Sequence, residues 1–123
     1  MIDKEDAPVL IDQNASVPEI IQSIDRHKLG FTIIEDEEGN LKGLSSNADV
    51  RRGLLRHIED FNAVKAEDII NFAPISINEN STTSELLNLI QQNNFLISFL
   101  PVIDEHKKLT GAVTFINLIR SES

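Results

Sequence analysis

The sequence predicts an α/β (α+β) fold in which two βαββα repeats pack together with pseudo-twofold symmetry. The first observation is an internal repeat, because PVLIDQNASVPEIIQSI at 8–24 aligns without a gap with PISINENSTTSELLNLI at 74–90. Second, the alignment resumes at Gly43 and Gly111, with two extra residues in the second copy. Third, each copy combines β-prone runs with a stretch of helical apolar spacing. We therefore expect two repeats, residues 1–65 and residues 66–123.

Composition and charge narrow the functional class. A chain of 123 residues has the size of one ordinary domain. Its net charge of −9 argues against a general nucleic-acid binder, because affinity for a phosphate backbone needs an excess of Lys and Arg. No apolar run approaches the roughly 20 residues that cross a membrane, and the N-terminal stretch carries acids instead of a secretory signal. Without cysteine, disulfide and thiolate chemistry are excluded. We expect a cytoplasmic protein that binds neither nucleic acid nor membrane.

Each repeat opens with a short strand and an amphipathic helix. The predicted strands are Val9–Ile11 and Ile75–Ile77. A capping box follows each strand, so that a hydroxyl and a carboxylate satisfy free backbone N–H groups where a helix begins. The two boxes are Ser16-x-x-Glu19 and Thr82-x-x-Glu85. Apolar residues then recur at the spacing of one buried helical face. The expected buried residues are Ile20, Ile21 and Ile24 in the first helix and Leu86, Leu87, Leu89 and Ile90 in the second.

A β-hairpin and a second helix complete each repeat. The hairpin strands are predicted over 31–34 and 41–44 and again over 99–103 and 109–113, with polar turns between them. The following helices begin at Ser46-x-x-Asp49 and Thr114-x-x-Asn117, and the first is amphipathic through Val50, Leu54 and Ile58. The two extra residues of the second copy are expected near 95–100. The connector between the repeats is polar, and a short helical turn is predicted over 68–71.

This arrangement resembles the tandem CBS domain, the pair named after cystathionine β-synthase. The resemblance covers nearly the whole chain and is carried by FTIIEDEEGNLKGLSSNADVRRGLL, PVIDEHKKLTGAVTFINLI and the connector AEDIINFAPISINEN. The first half is most similar to the C-terminal CBS pair of arabinose-5-phosphate isomerases. In those proteins a methionine, an acid and a proline precede the first strand, as Met1, Asp6 and Pro8 do here, and Asp-x-Arg-Arg follows, as at 49–52.

The resemblance implies a regulatory ligand-sensing module without catalysis of its own. The implied ligand is AMP, ATP or a nucleotide sugar such as CMP-Kdo, and no cofactor is required. The implied partners are a catalytic sugar-isomerase domain in the same chain and a second copy in a homodimer. Ligand binding would shift the repeats, and the attached domain would respond to the shift. The alternatives are a ligand-free dimerisation and assembly module, which the acidic balance favours, and the CBS pair of a sugar-phosphate nucleotidyltransferase.

The candidate site of the first repeat lies in the segment GLSSNADVRRGLL. In CBS pairs that bind adenosyl nucleotides, a Gly-x-x-Thr/Ser-x-x-Asp segment lets the hydroxyl and the carboxylate reach the ribose, and Gly43, Ser46 and Asp49 match it. A purely structural role, with Ser46 as N-cap and Asp49 at N3, is compatible with that function. Arg51 and Arg52 point about 100° apart on a helix, so only one can face a phosphate, and Arg52 is the candidate.

The second repeat carries a weaker version of this segment. Gly111 and Thr114 match, but Asn117 replaces the acid, so the site has lost a charged acceptor. Elsewhere the three histidines lack metal-ligand spacing, the acids at 35–38 span a turn without an EF-hand pattern, and no GxxxxGK loop is present. We therefore expect neither catalytic residues nor a metal site. The candidate ligand-binding residues are Ser46, Asp49, Arg52, Thr114 and Asn117.

Overall fold

Two sheets and three helices make up residues 2–92 and 99–114, which the computed structural model describes. The strands are β1 Ile2–Asp3, β2 Val9–Ile11, β3 Phe31–Glu35, β4 Leu41–Ser46, β5 Ile77–Asn78, β6 Phe99–Ile103 and β7 Leu109–Thr114. The helices are α1 Val17–His27, α2 Asn47–Arg56 and α3 Thr83–Gln92. The helix predicted after Thr114 lies outside the described residues, as do most of the positions near 95–100. No helix in the described ranges has the length and apolar character that a membrane crossing requires.

The two sheets repeat one topology. In the sheet β2-β3-β4, β2 runs parallel to β3 and β3 antiparallel to β4. In the sheet β1-β7-β6-β5, β5 runs parallel to β6 and β6 antiparallel to β7. Each hairpin has a register shift at the same place, after Ile34 in one and after Val102 in the other. The predicted α/β class and the internal repeat are confirmed.

Equivalent residues of the two repeats also touch each other. The rings of Phe31 and Phe99 stack with their centroids 4.6 Å apart. Asn40 pairs with Lys108 in an isolated antiparallel bridge between the two hairpin turns. Equivalent positions can meet in this way only where a pseudo-twofold axis passes between them. The predicted pseudo-twofold packing is therefore confirmed, and the axis runs through the core that the two sheets share.

The helix starts follow the predicted capping residues. Ser16 Oγ accepts a hydrogen bond from the Glu19 N–H at 3.3 Å, and Thr82 Oγ1 accepts one from the Glu85 N–H at 3.1 Å. In α1 the reciprocal half of the box does not form, because the Ser16 N–H donates to the Asn14 carbonyl at 3.1 Å. The N-cap predicted at Ser16 is therefore confirmed, whereas the prediction of a full capping box at the start of α1 is wrong.

Apolar burial follows the predicted helical faces with two exceptions. Buried residues are Ile20 and Ile24 in α1 and Leu86 and Ile90 in α3, with Leu87 and Leu89 half-buried. Ile21 is 40% exposed, because it points about 100° away from Ile20 and lies at the edge of the buried face. Ile58 is 63% exposed, because α2 ends at Arg56. The prediction that Ile58 continues a buried face of α2 is therefore wrong.

Each repeat sends its entry segment to the sheet of the other repeat. β1 pairs antiparallel with β7, and Asn71 of the connector pairs antiparallel with Leu44 of β4. The N–H and carbonyl groups of Asn71 and Leu44 exchange hydrogen bonds of 2.9 and 2.7 Å. The helical turn predicted over 68–71 is wrong, because these bonds hold Asn71 against β4, and a 3-10 turn lies earlier at Ala66–Asp68. The strand predicted over 75–77 starts only at its last residue.

Candidate functional site

Ser46 and Asp49 form a complete capping box at the start of α2. The Asp49 N–H donates to Ser46 Oγ at 3.2 Å, and the Ser46 N–H donates to Asp49 Oδ2 at 2.9 Å. Ser46 Oγ–H also donates to Asp49 Oδ2 at 2.9 Å. A carboxylate near the positive end of the helix dipole is favourable as well. The structural role predicted for this pair is therefore present without any ligand.

The second oxygen of Asp49 holds an arginine. Arg52 Nη2 donates to Asp49 Oδ1 at 2.7 Å, and the Asp49 side chain is only 13% exposed. An ionised carboxylate has about four acceptor positions, and three are occupied here. Asp49 Oδ1 therefore keeps an acceptor position for one further donor, such as a hydroxyl group.

A cleft of about 380 Å³ opens beside this pair, between α2 and the connector. Helix α2 contributes Asp49, Arg52 and Arg56 to its lining. The connector contributes Asp68, Ile70, Asn71 and Phe72, and the ring of Phe72 is exposed. The cleft therefore combines two carboxylates with two guanidinium groups on an almost entirely polar surface, which suits a ligand that carries both hydroxyl and anionic groups.

Two glycines allow the connector to lie close enough to form this wall. A Cβ atom on Gly43 would stand 2.9 Å from the carbonyl oxygen of Asn71. A Cβ atom on Gly53 would stand 2.7 Å from the carbonyl oxygen of Asp68. Real Cβ atoms do not come so close to backbone, so both positions need glycine. The close approach of the connector therefore explains why position 43 of the motif is glycine. It also explains Gly53, which is the buried residue of α2.

The two acids of the cleft have hydrogen-bonding partners, whereas one of its arginines makes no ion pair with any described residue. Asp68 accepts a hydrogen bond from the Lys65 N–H at 2.8 Å and lies 3.1 Å from His57 Nε2. The Lys65 hydrogen bond lowers the pKa of Asp68, with smaller contributions from His57 and Arg56, and burial opposes them. Among the described residues, no acid lies within 4 Å of the Arg56 side-chain nitrogens. Arg56 therefore acts on Asp68 only from a longer distance and makes no ion pair within the described part of the cleft.

The structure brings three of the five candidate residues together. Ser46 and Arg52 are both hydrogen-bonded to Asp49, and Asp49 and Arg52 line the cleft. Arg51 lines a groove on the other side of α2, which agrees with the choice of Arg52. Thr114 is buried at the end of β7, and Asn117 lies outside the described residues.

Sequence reasoning missed Arg56, although a signal was available. Arg56 stands four positions after Arg52 and seven after Asp49, and these spacings put all three on one helical face.

In the described ranges, no three His, Asp or Glu side chains gather as metal ligands would. The acidic turn at 35–38 is organised from within, because Asp36 Oδ1 accepts from the N–H groups of Glu38 and Asn40.

A second groove lies on the opposite side of α2 from the cleft. Its volume is about 350 Å³, and it is lined by Asn47, Val50, Arg51, Leu54, Leu55, Ile58 and Phe61. Three of these apolar side chains are more than half exposed, with 58% for Leu55, 63% for Ile58 and 59% for Phe61. We call these three residues and the groove beside them the apolar face of α2. A contiguous exposed face of this kind is unusual for a surface that only meets water.

Comparison with known proteins finds a family match in the second half and relatives along most of the chain. Residues 66–123 match the CBS domain family. The arabinose 5-phosphate isomerase KdsD of Pseudomonas aeruginosa is 28% identical over 101 residues, which are 82% of this chain and 30% of that protein. The chain spans about a third or less of the length of the curated relatives that it matches.

Solved structures share the fold over the whole chain. CBSX2 of Arabidopsis thaliana, in a complex with AMP, has a TM-score of 0.83 at 19% identity and covers 99% of this chain and 91% of its own. The CBS domain pair of protein MJ0100, in complex with 5-methylthioadenosine and S-adenosyl-L-methionine, has a TM-score of 0.79 at 23% identity and covers 100% of both chains. Both proteins are CBS pairs that were solved with adenosyl ligands bound.

Proposed function

We propose that this chain, whose residues 66–123 match the CBS domain family and whose fold is that of solved CBS pairs, is a regulatory module that senses a nucleotide and has no catalysis of its own. The observation that carries the proposal is the cleft beside α2. There Asp49 keeps a free acceptor position next to two arginines and an exposed aromatic ring. The adenosyl ligands of the structural relatives support this ligand class.

The groups of the cleft match the three parts of a nucleotide. Asp49 accepts a hydrogen bond from a ribose hydroxyl through Oδ1, with Ser46 holding the other oxygen in place. Arg52, whose side chain is 57% exposed, exchanges its hydrogen bond to Asp49 for one to the α-phosphate. We place the base against Phe72, a lining residue of the cleft whose side chain is exposed. AMP, ATP and CMP-Kdo all contain these parts.

Thermal unfolding and calorimetry of the purified chain with AMP, ATP and CMP-Kdo test the proposal. A ligand at a hundred times its dissociation constant adds about 2.7 kcal/mol to the free energy of unfolding, which moves the midpoint by several degrees. Asp49→Asn keeps an oxygen for the cap and removes the charge, so it should weaken binding. Asp25→Asn makes the same change on an exposed acid outside the cleft and should leave binding unchanged. The absence of binding by all three nucleotides would contradict the proposal.

The second repeat should bind a nucleotide more weakly or leave its site empty, because Asn117 offers no charge to the ribose. Calorimetry should then give one nucleotide per chain. Asn117→Asp restores the acid and is expected to raise the stoichiometry towards two. Two equally strong sites in the unaltered chain would contradict this assignment of Thr114 and Asn117.

The module is proposed to regulate a sugar-isomerase domain in the same polypeptide. The similarity to the isomerase KdsD of Pseudomonas aeruginosa supports this proposal, as does the small share of that protein that the match covers. The complete gene tests it directly. An adjoining sugar-isomerase domain would support the proposal, whereas a nucleotidyltransferase domain would favour the alternative parent.

A ligand-free assembly module is the second candidate, and the apolar face of α2 favours it. Leu55, Ile58 and Phe61 expose apolar surface that a second copy could cover in a homodimer. Sedimentation of the purified chain at several concentrations tests this candidate. Ile58→Asp should shift a dimer towards monomer. Ile75→Asp should not, because Ile75 is 41% exposed outside this face. A strict monomer at all concentrations would rule the assembly role out.

A further inference from the structure

Three charged residues follow one another along the side of α2 that faces the cleft. Asp49, Arg52 and Arg56 all contribute to its lining. With a rise of about 1.5 Å per residue, Arg52 lies about 4.5 Å and Arg56 about 10.5 Å further along the helix axis than Asp49. The cleft therefore offers two cationic positions, one near the carboxylate and one a full turn beyond it.

The second cationic position, Arg56, makes no ion pair with a described acid, although the C-terminal end of α2 and the nearby Asp68 carboxylate favour a cation there. Arg52 is bonded to Asp49 at 2.7 Å, and Asp68 is held by Lys65 and His57. Arg56 has no acid within 4 Å among the described residues, and its side chain is exposed in the cleft. In a chain of net charge −9, an exposed arginine that makes no ion pair with a described acid on a concave surface is a place where an anion would be bound.

We infer that the cleft selects nucleotides that carry more than one phosphate, with Arg56 binding the phosphate beyond the α-phosphate. The inference rests on the proposed function, because it takes the ribose to lie at Asp49. From there the phosphate chain extends along α2, so the α-phosphate meets Arg52 and the next phosphate meets Arg56. A nucleoside monophosphate reaches Arg52 alone. Arg56 is thus the residue that distinguishes ADP and ATP from AMP.

Calorimetric titration of the purified chain with AMP, ADP and ATP, without divalent cations, tests the inference. ADP and ATP should bind about tenfold more tightly than AMP, as expected for one additional charge-assisted hydrogen bond. Arg56→Gln should remove this preference and leave the affinity for AMP unchanged. Arg51→Gln is the matched control, because Arg51 lies on the same helix but lines the opposite groove, so it should preserve the preference.

The possible results separate this inference from the proposed function. If none of the three nucleotides binds, the proposed function itself fails. If AMP binds and ADP and ATP bind no more tightly, the nucleotide site stands and the role of Arg56 is overturned. The role is also overturned if Arg56→Gln keeps the preference for ADP and ATP. Thermal unfolding of each variant without ligand confirms folding, since both arginines are exposed and neither substitution should lower the midpoint appreciably.

Discussion

Replacing Gly43 by alanine is expected to destabilise the protein by pushing the connector away from β4. The new Cβ atom would lie 2.8 Å from Ile70 Cγ2 and 2.9 Å from the carbonyl oxygen of Asn71. The Ile70 side chain can turn aside, whereas the Asn71 carbonyl belongs to the backbone. That carbonyl accepts the Leu44 N–H at 2.9 Å, and the Asn71 N–H donates back to Leu44 at 2.7 Å. The substitution therefore acts on both hydrogen bonds.

The magnitude follows from these contacts. Two weakened hydrogen bonds cost about 1 kcal/mol each, and forcing a methyl group into a filled space costs about 1 kcal/mol more. The lower entropy of alanine in the unfolded chain offsets about 0.5–1 kcal/mol. The expected loss in the free energy of unfolding is about 2 kcal/mol, or a fall of about 8 °C in the midpoint for a chain of this size. Nucleotide affinity should also fall, because Asn71 and Phe72 form the wall opposite Asp49.

Urea denaturation of Gly43→Ala beside the unaltered chain measures this loss. Lys42→Ala is the control, because Lys42 is the exposed neighbour on the same strand and its loss should change stability by less than about 0.5 kcal/mol. If Gly43→Ala costs no more than the control, the close approach of the connector to β4 does not contribute to stability, and the reasoning is refuted.

Three further predictions concern stability. Ser45→Ala removes the buried hydrogen bond that Ser45 Oγ donates to the Ile69 carbonyl at 2.5 Å, and should cost about 1–2 kcal/mol in urea denaturation. Phe31→Ala opens a cavity against Phe99 and should cost about 3–5 kcal/mol, and a loss below 1 kcal/mol would contradict the shared core. Hydrogen bonds from Asn40, side chain first, lower the pKa of Asp36 below its usual 3.8. The stability this confers is present above that value and is lost as pH falls through the folded pKa, so Asp36→Ala should flatten the dependence of the free energy of unfolding on pH below about pH 4.

The parts of the fold that sequence predicted are those whose signals are local. A cap is a contact between residues three apart, so Ser46 and Asp49 could be recognised from their spacing alone. The hairpins carry continuous apolar runs around a polar turn, and the second copy confirms the first. The register shifts after Ile34 and after Val102 show that equivalent sequences make equivalent structure.

The errors fall where a residue depends on a distant partner. β1 has only two residues, and so short a strand carries no periodicity of its own. The helical turn predicted over 68–71 does not form there, because Asn71 is hydrogen-bonded to Leu44, a residue far away in the chain. Ile58 was assigned to a buried face by continuing the spacing of Val50 and Leu54 beyond the end of α2.

The sequence by itself determined the repeat, the α/β class, the helix caps and the grouping of Ser46, Asp49 and Arg52. Each of these is a pattern of nearby residues, and the repeat supplies every pattern twice. Only the tertiary structure decided that the entry segments cross between the repeats. This crossing lays the connector along α2, which places Asp68 and Phe72 opposite Asp49 and makes Arg56 part of the same cleft. Such a cleft depends on long-range backbone pairing, and no short stretch of sequence encodes that pairing alone.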